Sequence, residues 1–220
     1  MLSIIIPVYN EQASIREVLE HIRVEFKDTP HEIIIIDDGS RDNTKYYSMR
    51  ESGIQYIRLP RNYGKGYAVR VGFDHARGTH VAIQDGDLEY SPKTLHELYK
   101  NIKAGDEESV IYGKRDRKKG YILNRLGNAI LSKTCNIIYK SNLSDIYTCY
   151  KVIPKKILDE IELSAHGFEI EAEITAKLLN KKVTIKEIDI PYSPRSFKEG
   201  KKIRAHDALA GIWTLIKYRP

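Results

Sequence analysis

Three carboxylates follow an apolar run in the stretch VAIQDGDLEY, residues 81–90. Asp85, Asp87 and Glu89 occupy alternate positions, and alternate residues of an extended chain point to the same side. Like charges at close range repel each other unless a cation lies among them. Oxygen ligands favour Mg²⁺ or Mn²⁺, and the stretch has no His or Cys to indicate zinc. The triplet predicts a divalent metal site, with an ordinary acidic turn as the alternative.

The elements around this stretch alternate between strand and helix patterns. Short apolar runs predict strands, and apolar residues at helical spacing predict the helices between them. Repeated strand–helix units are typical of an α/β protein with a doubly wound, mostly parallel sheet and helices on both faces. The predicted strands lie at 3–9, 32–37, 54–59, 79–84, 108–112, 146–153 and 182–190. The predicted helices lie at 12–26, 66–76, 92–103, 122–139, 168–180 and 206–217, with a short one after residue 44.

Polar residues gather where three of the predicted strands end. They are PVYNE at 7–11, DDGS at 37–40 and QDGD at 84–87. In open parallel sheets ligands bind beyond the carboxyl ends of the strands, so we expect these segments to form one binding edge. Each segment alone has a plainer interpretation, because Asp-Gly is a common turn and Asn10 could cap a helix.

The ordered motifs IIIPVYNE, IIIIDDGSRDNT, RNYGKGYAVRVGF and QDGDLEYSP together resemble the inverting, GT-A-fold glycosyltransferases of family 2. Within that family the chain looks most like the polyprenyl-phosphate hexose synthases, the dolichyl-phosphate mannose or glucose synthase group. YGKRD, SDIYTCYKV, FEIEAEIT and PYSPRSFKEGKKI extend the likeness over nearly the whole chain. The resemblance implies one GT-A domain over residues 1–220. Residues 1–110 would bind the nucleotide sugar, and residues 111–220 would bind the acceptor.

The resemblance also implies roles for individual side chains. Asp85, Asp87 and Glu89 would hold Mg²⁺ or Mn²⁺ on the donor diphosphate. Gly86 departs mildly from the Asp-Ala-Asp that the family often has, and Glu89 stands where Gln is common. An exposed loop lysine is the alternative for Lys65. The implied nucleotide-sugar-binding residues are Pro7, Tyr9, Glu11, Asp38, Lys65 and Asp85.

The charge is unevenly divided between the two halves of the chain. Residues 1–110 hold 14 Lys and Arg against 18 Asp and Glu, whereas residues 111–220 hold 22 against 12. A basic half predicts an anionic partner, with plain solvation of helix faces as the alternative for most of its lysines.

A lipid phosphate would be such a partner. With a second pKa of about 6 it is already an anion near neutral pH, so it needs cations and no general base. The candidate acceptor-phosphate residues are Arg115, Arg125, Arg195 and Lys202. Arg115 and Arg195 rank first because arginine grips phosphate with two parallel hydrogen bonds, and with Asp87 they are the predicted catalytic residues. Asp145 is expected to orient an arginine or substrate, or to lie in a turn.

Two other functions stay open at this point. The same fold could transfer sugar to a saccharide hydroxyl, which would need a general base near Asp145 or among Glu169, Glu171 and Glu173. Most of the last three are expected at the surface. The chain could also be a non-catalytic nucleotide-sugar binder. A nucleic-acid partner is not expected, because the basic residues lack interleaved aromatic side chains.

From the sequence we expect a cytoplasmic protein at the surface of a membrane. It shows no signal-peptide pattern, no apolar run of about 18 residues, and only two cysteines, without the spacing of a disulfide framework. The segment ALAGIWTLI, 208–216, is too short to span a bilayer. With the helix at 122–139 it is predicted to lie on the cytoplasmic face or to complete the core. A homodimer is an open alternative to a monomer.

Overall fold

The computed structural model describes residues 1–50, 52–102, 108–116, 122–195 and 205–220, with residues 122–124 and 205 described by their backbone alone. Strands and helices alternate through the first half of the chain and less regularly through the second. The strands are β1 (Leu2–Val8), β2 (His31–Asp37), β3 (Ile54–Arg58), β4 (His80–Ile83), β5 (Val110–Arg115), β6 (Lys151–Pro154) and β7 (Ile185–Ile190). The helices are α1 (Ile15–Glu25), α2 (Thr44–Ser48), α3 (Lys65–His75), α4 (Pro92–Lys100), α5 (Ile122–Tyr139), α6 (Lys155–Asp159), α7 (Ile170–Asn180) and α8 (Ala205–Lys217).

The strands form one sheet in the order β3-β2-β1-β4-β6-β5-β7. The β1 strand pairs in parallel with β2 and β4, β2 pairs in parallel with β3, and β5 pairs in parallel with β7. Among the strands of the described residues, β6 alone runs against its neighbours, β4 and β5. The predicted α/β class with a mostly parallel sheet is confirmed. The carboxyl ends of the parallel strands and the beginning of β6 therefore share one edge.

The centre of the sheet is buried on both faces. Residues 4–6 of β1 and 34–36 of β2 are isoleucines with no exposed surface. Burying each such side chain contributes about 1.5–3 kcal/mol, and continuous apolar strands are typical of covered parallel sheets. Helix α3 lies against β1 so closely that a Cβ atom on Gly72 would come within 2.2 Å of Ile5 Cγ2. A glycine at that position allows the helix and the strand to approach.

The second half differs from its prediction at two elements. Residues 146–150 are buried, but of the predicted strand 146–153 only residues 151–153 pair with β4 and β5, in a strand that extends to Pro154. A buried apolar segment therefore has the sequence pattern of a strand even where it forms none. The short helix α6 was not predicted.

Helices α5, α7 and α8 pack around a second apolar cluster beside the sheet. Leu131 and Cys135 of α5 and Leu215 of α8 are buried in it. The Tyr139 hydroxyl also donates a hydrogen bond to the Leu215 carbonyl oxygen at 2.8 Å. Both cysteines, Cys135 and Cys149, are buried free thiols.

Candidate active site

The loops that follow β1 and β2 are fastened to each other. The Asn10 N–H donates to Ser40 Oγ at 2.9 Å, and the Arg41 N–H donates to Asn10 Oδ1 at 2.8 Å. Asn10 has a φ of 53°, a left-handed conformation that asparagine tolerates better than most residues. The Glu11 N–H donates to Thr44 Oγ1 at 2.8 Å. These contacts position Glu11 at the edge of the sheet and explain Asn10 without a ligand.

Asp38 fixes the beginning of α3. Its carboxylate accepts hydrogen bonds from the backbone N–H groups of Tyr63 at 2.7 Å and Gly64 at 2.8 Å. Burial is the main reason that the pKa of Asp38 lies above its ordinary value. Gly64 has a φ of 99°, and a Cβ atom there would lie 2.3 Å from the His166 carbonyl oxygen. Asp38 therefore has a structural role in this loop, and its contact with a nucleotide stays a prediction.

Lys65 lies between two carboxylates and is not an exposed loop lysine. Its Nζ is 2.7 Å from Asp85 Oδ1 and 3.3 Å from Glu171 Oε1, and only 13% of its side chain is exposed. Burial alone would lower the pKa of Lys65, but these carboxylates hold it well above its ordinary value. Burial would likewise raise the pKa of Asp85, yet Lys65 holds it below its usual range. Both groups are therefore charged at neutral pH.

Asp87 and Glu89 face the guanidinium of Arg195. Arg195 Nη2 donates to Asp87 Oδ2 at 2.6 Å, and Arg195 Nη1 donates to Glu11 Oε2 at 3.2 Å. Glu89 accepts from the Arg195 N–H at 3.0 Å and from the Tyr192 hydroxyl. Arg195 thus lies among three carboxylates. Its predicted contact with a phosphate stays a prediction.

The predicted extended run of alternating carboxylates does not form. Strand β4 ends at Ile83, and the Glu89 N–H donates to Asp87 Oδ1 at 3.0 Å, which closes a turn. Asp85 then faces Lys65, whereas Asp87 and Glu89 face Arg195. In the described part of the chain, no three His, Cys, Asp or Glu side chains are grouped to hold one ion. The triplet as a complete ligand set stays a prediction.

The crowding of these carboxylates nevertheless suits a divalent cation. Burial, followed by the charges of Asp85 and Glu89, raises the pKa of Asp87 to about 7, although Arg195 acts in the opposite direction. A cation among them would relieve this repulsion. Mg²⁺ sites commonly use one or two carboxylates together with substrate phosphates, so the oxygen donors at this edge fit such an ion.

Arg115 and Asp145 form a buried pair next to this cluster. Arg115 Nε and Nη2 donate to the two carboxylate oxygens at 2.6 and 2.7 Å. Burial opposes ionisation of Asp145, but Arg115 lowers its pKa below the ordinary value. The guanidinium also lies 5.2 Å from the centre of the Tyr192 ring, whose hydroxyl binds Glu89. Asp145 therefore orients Arg115, one of the two roles expected for it, and Tyr192 connects Arg115 to the carboxylates.

The remaining predicted residues are placed less directly. Pro7 lies in β1 and Tyr9 just beyond it, both half-buried at the binding edge. Arg125 is exposed on α5, and no described contact brings it to the carboxylates. Lys202 lies outside the described residues.

Lys151 and Tyr192 were not singled out from the sequence, and two of the glutamates considered there lie deeper than expected. Glu171, expected at the surface together with Glu173, is buried, and so is Glu173. The Lys151 ammonium donates a hydrogen bond to Glu171 in the interior. Tyr192 follows β7 and binds Glu89. The apolar residues that alternate with the glutamates in FEIEAEIT were the available signal, because they place α7 within the core.

The mostly parallel α/β sheet, with acidic and basic side chains at its carboxyl edge, has the GT-A fold of glycosyltransferases. The family model described as Glycosyl transferase family 2 matches residues 3–162. The chain therefore belongs to glycosyl transferase family 2.

Several curated relatives have names that refer to lipid phosphates. Dodecaprenyl-phosphate galacturonate synthase of Rhizobium johnstonii is 27% identical over 169 residues, covering 74% of this chain and 50% of that protein. Undecaprenyl-phosphate 4-deoxy-4-formamido-L-arabinose transferase of Shewanella sediminis is 30% identical over 207 residues, covering 91% and 61%. Dolichol-phosphate mannosyltransferase of Pyrococcus furiosus is 27% identical over 202 residues, covering 87% and 56%. The chain thus spans about half the length of the curated relatives it matches.

Solved structures agree on the fold. Glucosyl-3-phosphoglycerate synthase from Mycobacterium tuberculosis, in complex with Mn²⁺, uridine diphosphate and phosphoglyceric acid, superposes with a TM-score of 0.79. The match covers 99% of this chain and 78% of that one at 17% identity. The same enzyme in complex with Mg²⁺ and uridine diphosphate gives 0.79 at 18% identity, covering 100% and 79%.

Proposed function

We propose that this chain transfers mannose or glucose, with inversion, from GDP-mannose or UDP-glucose to the phosphate of a polyprenyl or dolichyl phosphate. A hydroxyl acceptor would need a carboxylate as its general base. The observation that supports a phosphate acceptor is that the candidate carboxylates already have partners. Those named above as candidate bases are already engaged by cations or backbone N–H groups. Residues 1–110 would supply the donor side of the site, and residues 111–220 the acceptor side.

A general base needs a free lone pair close to the acceptor and a suitable pKa. Asp145 uses both oxygens on Arg115. Glu173 accepts from the N–H groups of Ser164 and Ala165, and hydrogen bonds with Lys177 and the backbone hold its pKa below the ordinary value although burial opposes them. Neither carboxylate is suited to remove a proton from a sugar hydroxyl.

Glu169, at the beginning of α7, and Glu171, within α7, have partners as well. Glu169 accepts from the N–H groups of His166 at 3.1 Å and Gly167 at 2.9 Å. Glu171 is paired with Lys65 and Lys151. An acceptor that is already an anion needs none of these groups as a base.

On the donor side, Asp85, Asp87 and Glu89 would hold Mg²⁺ or Mn²⁺ on the diphosphate. When bound, such an ion neutralises the charge that develops on the leaving diphosphate. Lys65, beside Asp85, would contact the same phosphates. Pro7, Tyr9, Glu11 and Asp38 line the edge along which the nucleotide would lie.

On the acceptor side, Arg195 would exchange its carboxylate partners for phosphate oxygens once the donor is bound. Arg115 is held in place by Asp145 and would contact the lipid phosphate with its remaining N–H groups. Each guanidinium can donate two parallel hydrogen bonds to the oxygens of one phosphate. The two arginines would bring an anionic acceptor close to an anionic donor. Arg125 and Lys202 complete the proposed acceptor set.

A membrane surface is the expected location of this acceptor. Helices α5 and α8 bury one face each, while Ile137 is 70% exposed on α5 and Trp213 is 66% exposed on α8. Exposed lysines, Lys133 and Lys217, accompany this apolar surface. An apolar face with an aromatic residue and a basic rim suits the interface of an anionic leaflet. Within the described residues, no helix is both long and apolar enough to cross a bilayer.

The membrane proposal can be tested by sedimentation with vesicles. The chain should bind vesicles that contain phosphatidylserine more strongly than pure phosphatidylcholine vesicles. Trp213→Ser should reduce this binding. Val24→Ser removes an apolar side chain that is 60% exposed on α1 and is the matched control. Equal effects of the two substitutions would contradict the proposed surface.

The activity itself is tested by sugar transfer from labelled UDP-glucose and GDP-mannose, each with Mn²⁺. One set of reactions contains a polyprenyl phosphate and the other an oligosaccharide. We expect label only on the phosphate, with an inverted anomeric configuration by NMR. Label on the oligosaccharide alone would favour the hydroxyl-acceptor alternative. Donor binding with no transfer to either acceptor would indicate a non-catalytic binder.

A further inference from the structure

Four side chains of alternating charge run from the binding edge into the protein interior. Asp85 is 2.7 Å from Lys65 Nζ, which is 3.3 Å from Glu171 Oε1. The other oxygen of Glu171 accepts a hydrogen bond from Lys151. Lys151 also donates to the Thr148 carbonyl oxygen. The inner two charges lie behind the residues that would contact the donor.

The inner pair is far from solvent. The side chain of Lys151 is fully buried and that of Glu171 is 3% exposed. The ammonium lies 4.8 Å from the centre of the Tyr112 ring, which gives it a further favourable contact. A buried ion pair adds little to stability compared with well-packed apolar residues. Its place directly behind Lys65 points to a role at the site.

Glu171 attracts Lys65 without hydrogen-bonding to it. Its Oε1 atom is buried and accepts no hydrogen bond, although the ammonium is within 3.3 Å. Lys65 is therefore hydrogen-bonded to Asp85 on one side and drawn by Glu171 on the other. The backbone near Lys65 is joined to the backbone that precedes Glu171, because the Tyr67 N–H donates to the His166 carbonyl oxygen at 3.2 Å. How strongly Lys65 binds each of its two carboxylates therefore depends on the charges of Asp85, Glu171 and Lys151.

We propose that Glu171, with Lys151 behind it, is a positioning pair that limits how tightly Lys65 holds Asp85. This inference rests on the proposed function, in which Asp85 must release Lys65 to bind a divalent cation. Without the charge of Glu171, Lys65 has Asp85 as its remaining carboxylate in the row, so the cation competes against a tighter pair. Without the charge of Lys151, Glu171 acts more strongly on Lys65 and leaves Asp85 more available.

The two substitutions therefore change cation affinity in opposite directions. Residues behind metal ligands typically change metal affinity by about 10–100-fold, and we expect roughly tenfold weaker Mn²⁺ binding for Glu171→Gln. Lys151→Met should bind Mn²⁺ at least as tightly as the original chain. A purely structural role would weaken binding in both variants. The double variant, Glu171→Gln with Lys151→Met, removes both buried charges and should recover thermal stability while still binding Mn²⁺ weakly.

The measurement is the free Mn²⁺ signal by electron paramagnetic resonance, in the presence of UDP and without turnover. Thermal unfolding of each variant is recorded beside it. Glu173→Gln is the matched control, because Glu173 lies on the same helix and pairs with Lys177 outside this row. It should leave Mn²⁺ affinity unchanged. In activity assays the KM for Mn²⁺ of Glu171→Gln should rise by more than kcat falls.

Two results would overturn the inference. If the original chain binds Mn²⁺ with UDP but the double variant binds it equally well, the positioning role is wrong and the proposed function stands. If the original chain binds no Mn²⁺ with UDP, the proposed function is wrong and the inference fails with it. A Lys151→Met chain that does not fold leaves the double variant to decide between these outcomes.

Discussion

Cation binding at this site should depend on pH through Asp87. Burial and the charges of Asp85 and Glu89 raise the pKa of Asp87 to about 7, against the opposing effect of Arg195. With that pKa, roughly a tenth of the Asp87 carboxyl groups are ionised at pH 6 and roughly nine tenths at pH 8. A divalent cation needs the ionised form, so its apparent affinity should rise about tenfold between these pH values.

The stability of the metal-free chain should change in the opposite direction. The folded pKa of Asp87 lies above the ordinary value of 3.8, so the folded state favours the protonated carboxyl. That contribution is fully present at low pH and is lost as the pH rises through about 7. Removing the carboxyl charge with Asp87→Asn should therefore cost least stability at pH 8, where the ionised carboxyl is most unfavourable.

The assay is Mn²⁺ binding by electron paramagnetic resonance at pH 6, 7 and 8, with UDP-glucose as the nucleotide. UDP-glucose is preferable to UDP because it lacks a terminal phosphate with a pKa of about 6. Asp87→Asn is the control and should bind weakly with little dependence on pH. A change of less than about twofold in the original chain, or an unaltered slope in Asp87→Asn, would refute the reasoning.

Three further predictions concern single residues. Arg195→Gln should bind Mn²⁺ alone about tenfold more tightly at pH 8, because a competing cation is removed, yet lower sugar transfer by about 10²-fold or more; weaker Mn²⁺ binding would contradict the placement of Arg195 among the carboxylates. Asp145→Asn should cost about 3–5 kcal/mol in urea denaturation, because it leaves Arg115 buried and without its partner, and a loss below about 1 kcal/mol would contradict the buried pair. Gly64→Ala should lower the free energy of unfolding by about 1–3 kcal/mol, because the site combines a positive φ with a backbone clash. Gly53→Ala, with a φ of 78° but open space, should cost less. Equal losses of stability in thermal unfolding would show that the clash is absent.

The binding edge could be predicted from the sequence because its signals are local. Apolar strands alternate with amphipathic helices, so the class of fold and the edge follow from periodicity and chain direction. Asp38 comes directly after β2 and Asp85 two residues after the end of β4, and the structure places both at that edge. Residues whose position depends only on the end of their own strand were therefore located correctly.

The pairing of charges at that edge could not be predicted, because it depends on contacts between distant segments. Arg195 is 108 residues from Asp87 and 184 from Glu11, and no local pattern indicates which anion it contacts. The burial of Glu171 and its pairing with Lys151 were not predicted, for a related reason. Sequence rules expect charged residues outside, whereas a buried charge with a partner from another element is stable enough to remain inside.

The reversed direction of β6 has a consequence for how this protein can diversify. A strand that runs backwards delivers the residues before it, 141–150, to the same rim that the forward strands reach with the residues after them. An insertion before Lys151 can therefore change the shape of the binding edge near β6. The parallel pairing of β3, β2, β1 and β4 would keep its register. In the proposed function, selection could then change the acceptor side of the site separately from the donor side, within one continuous sheet.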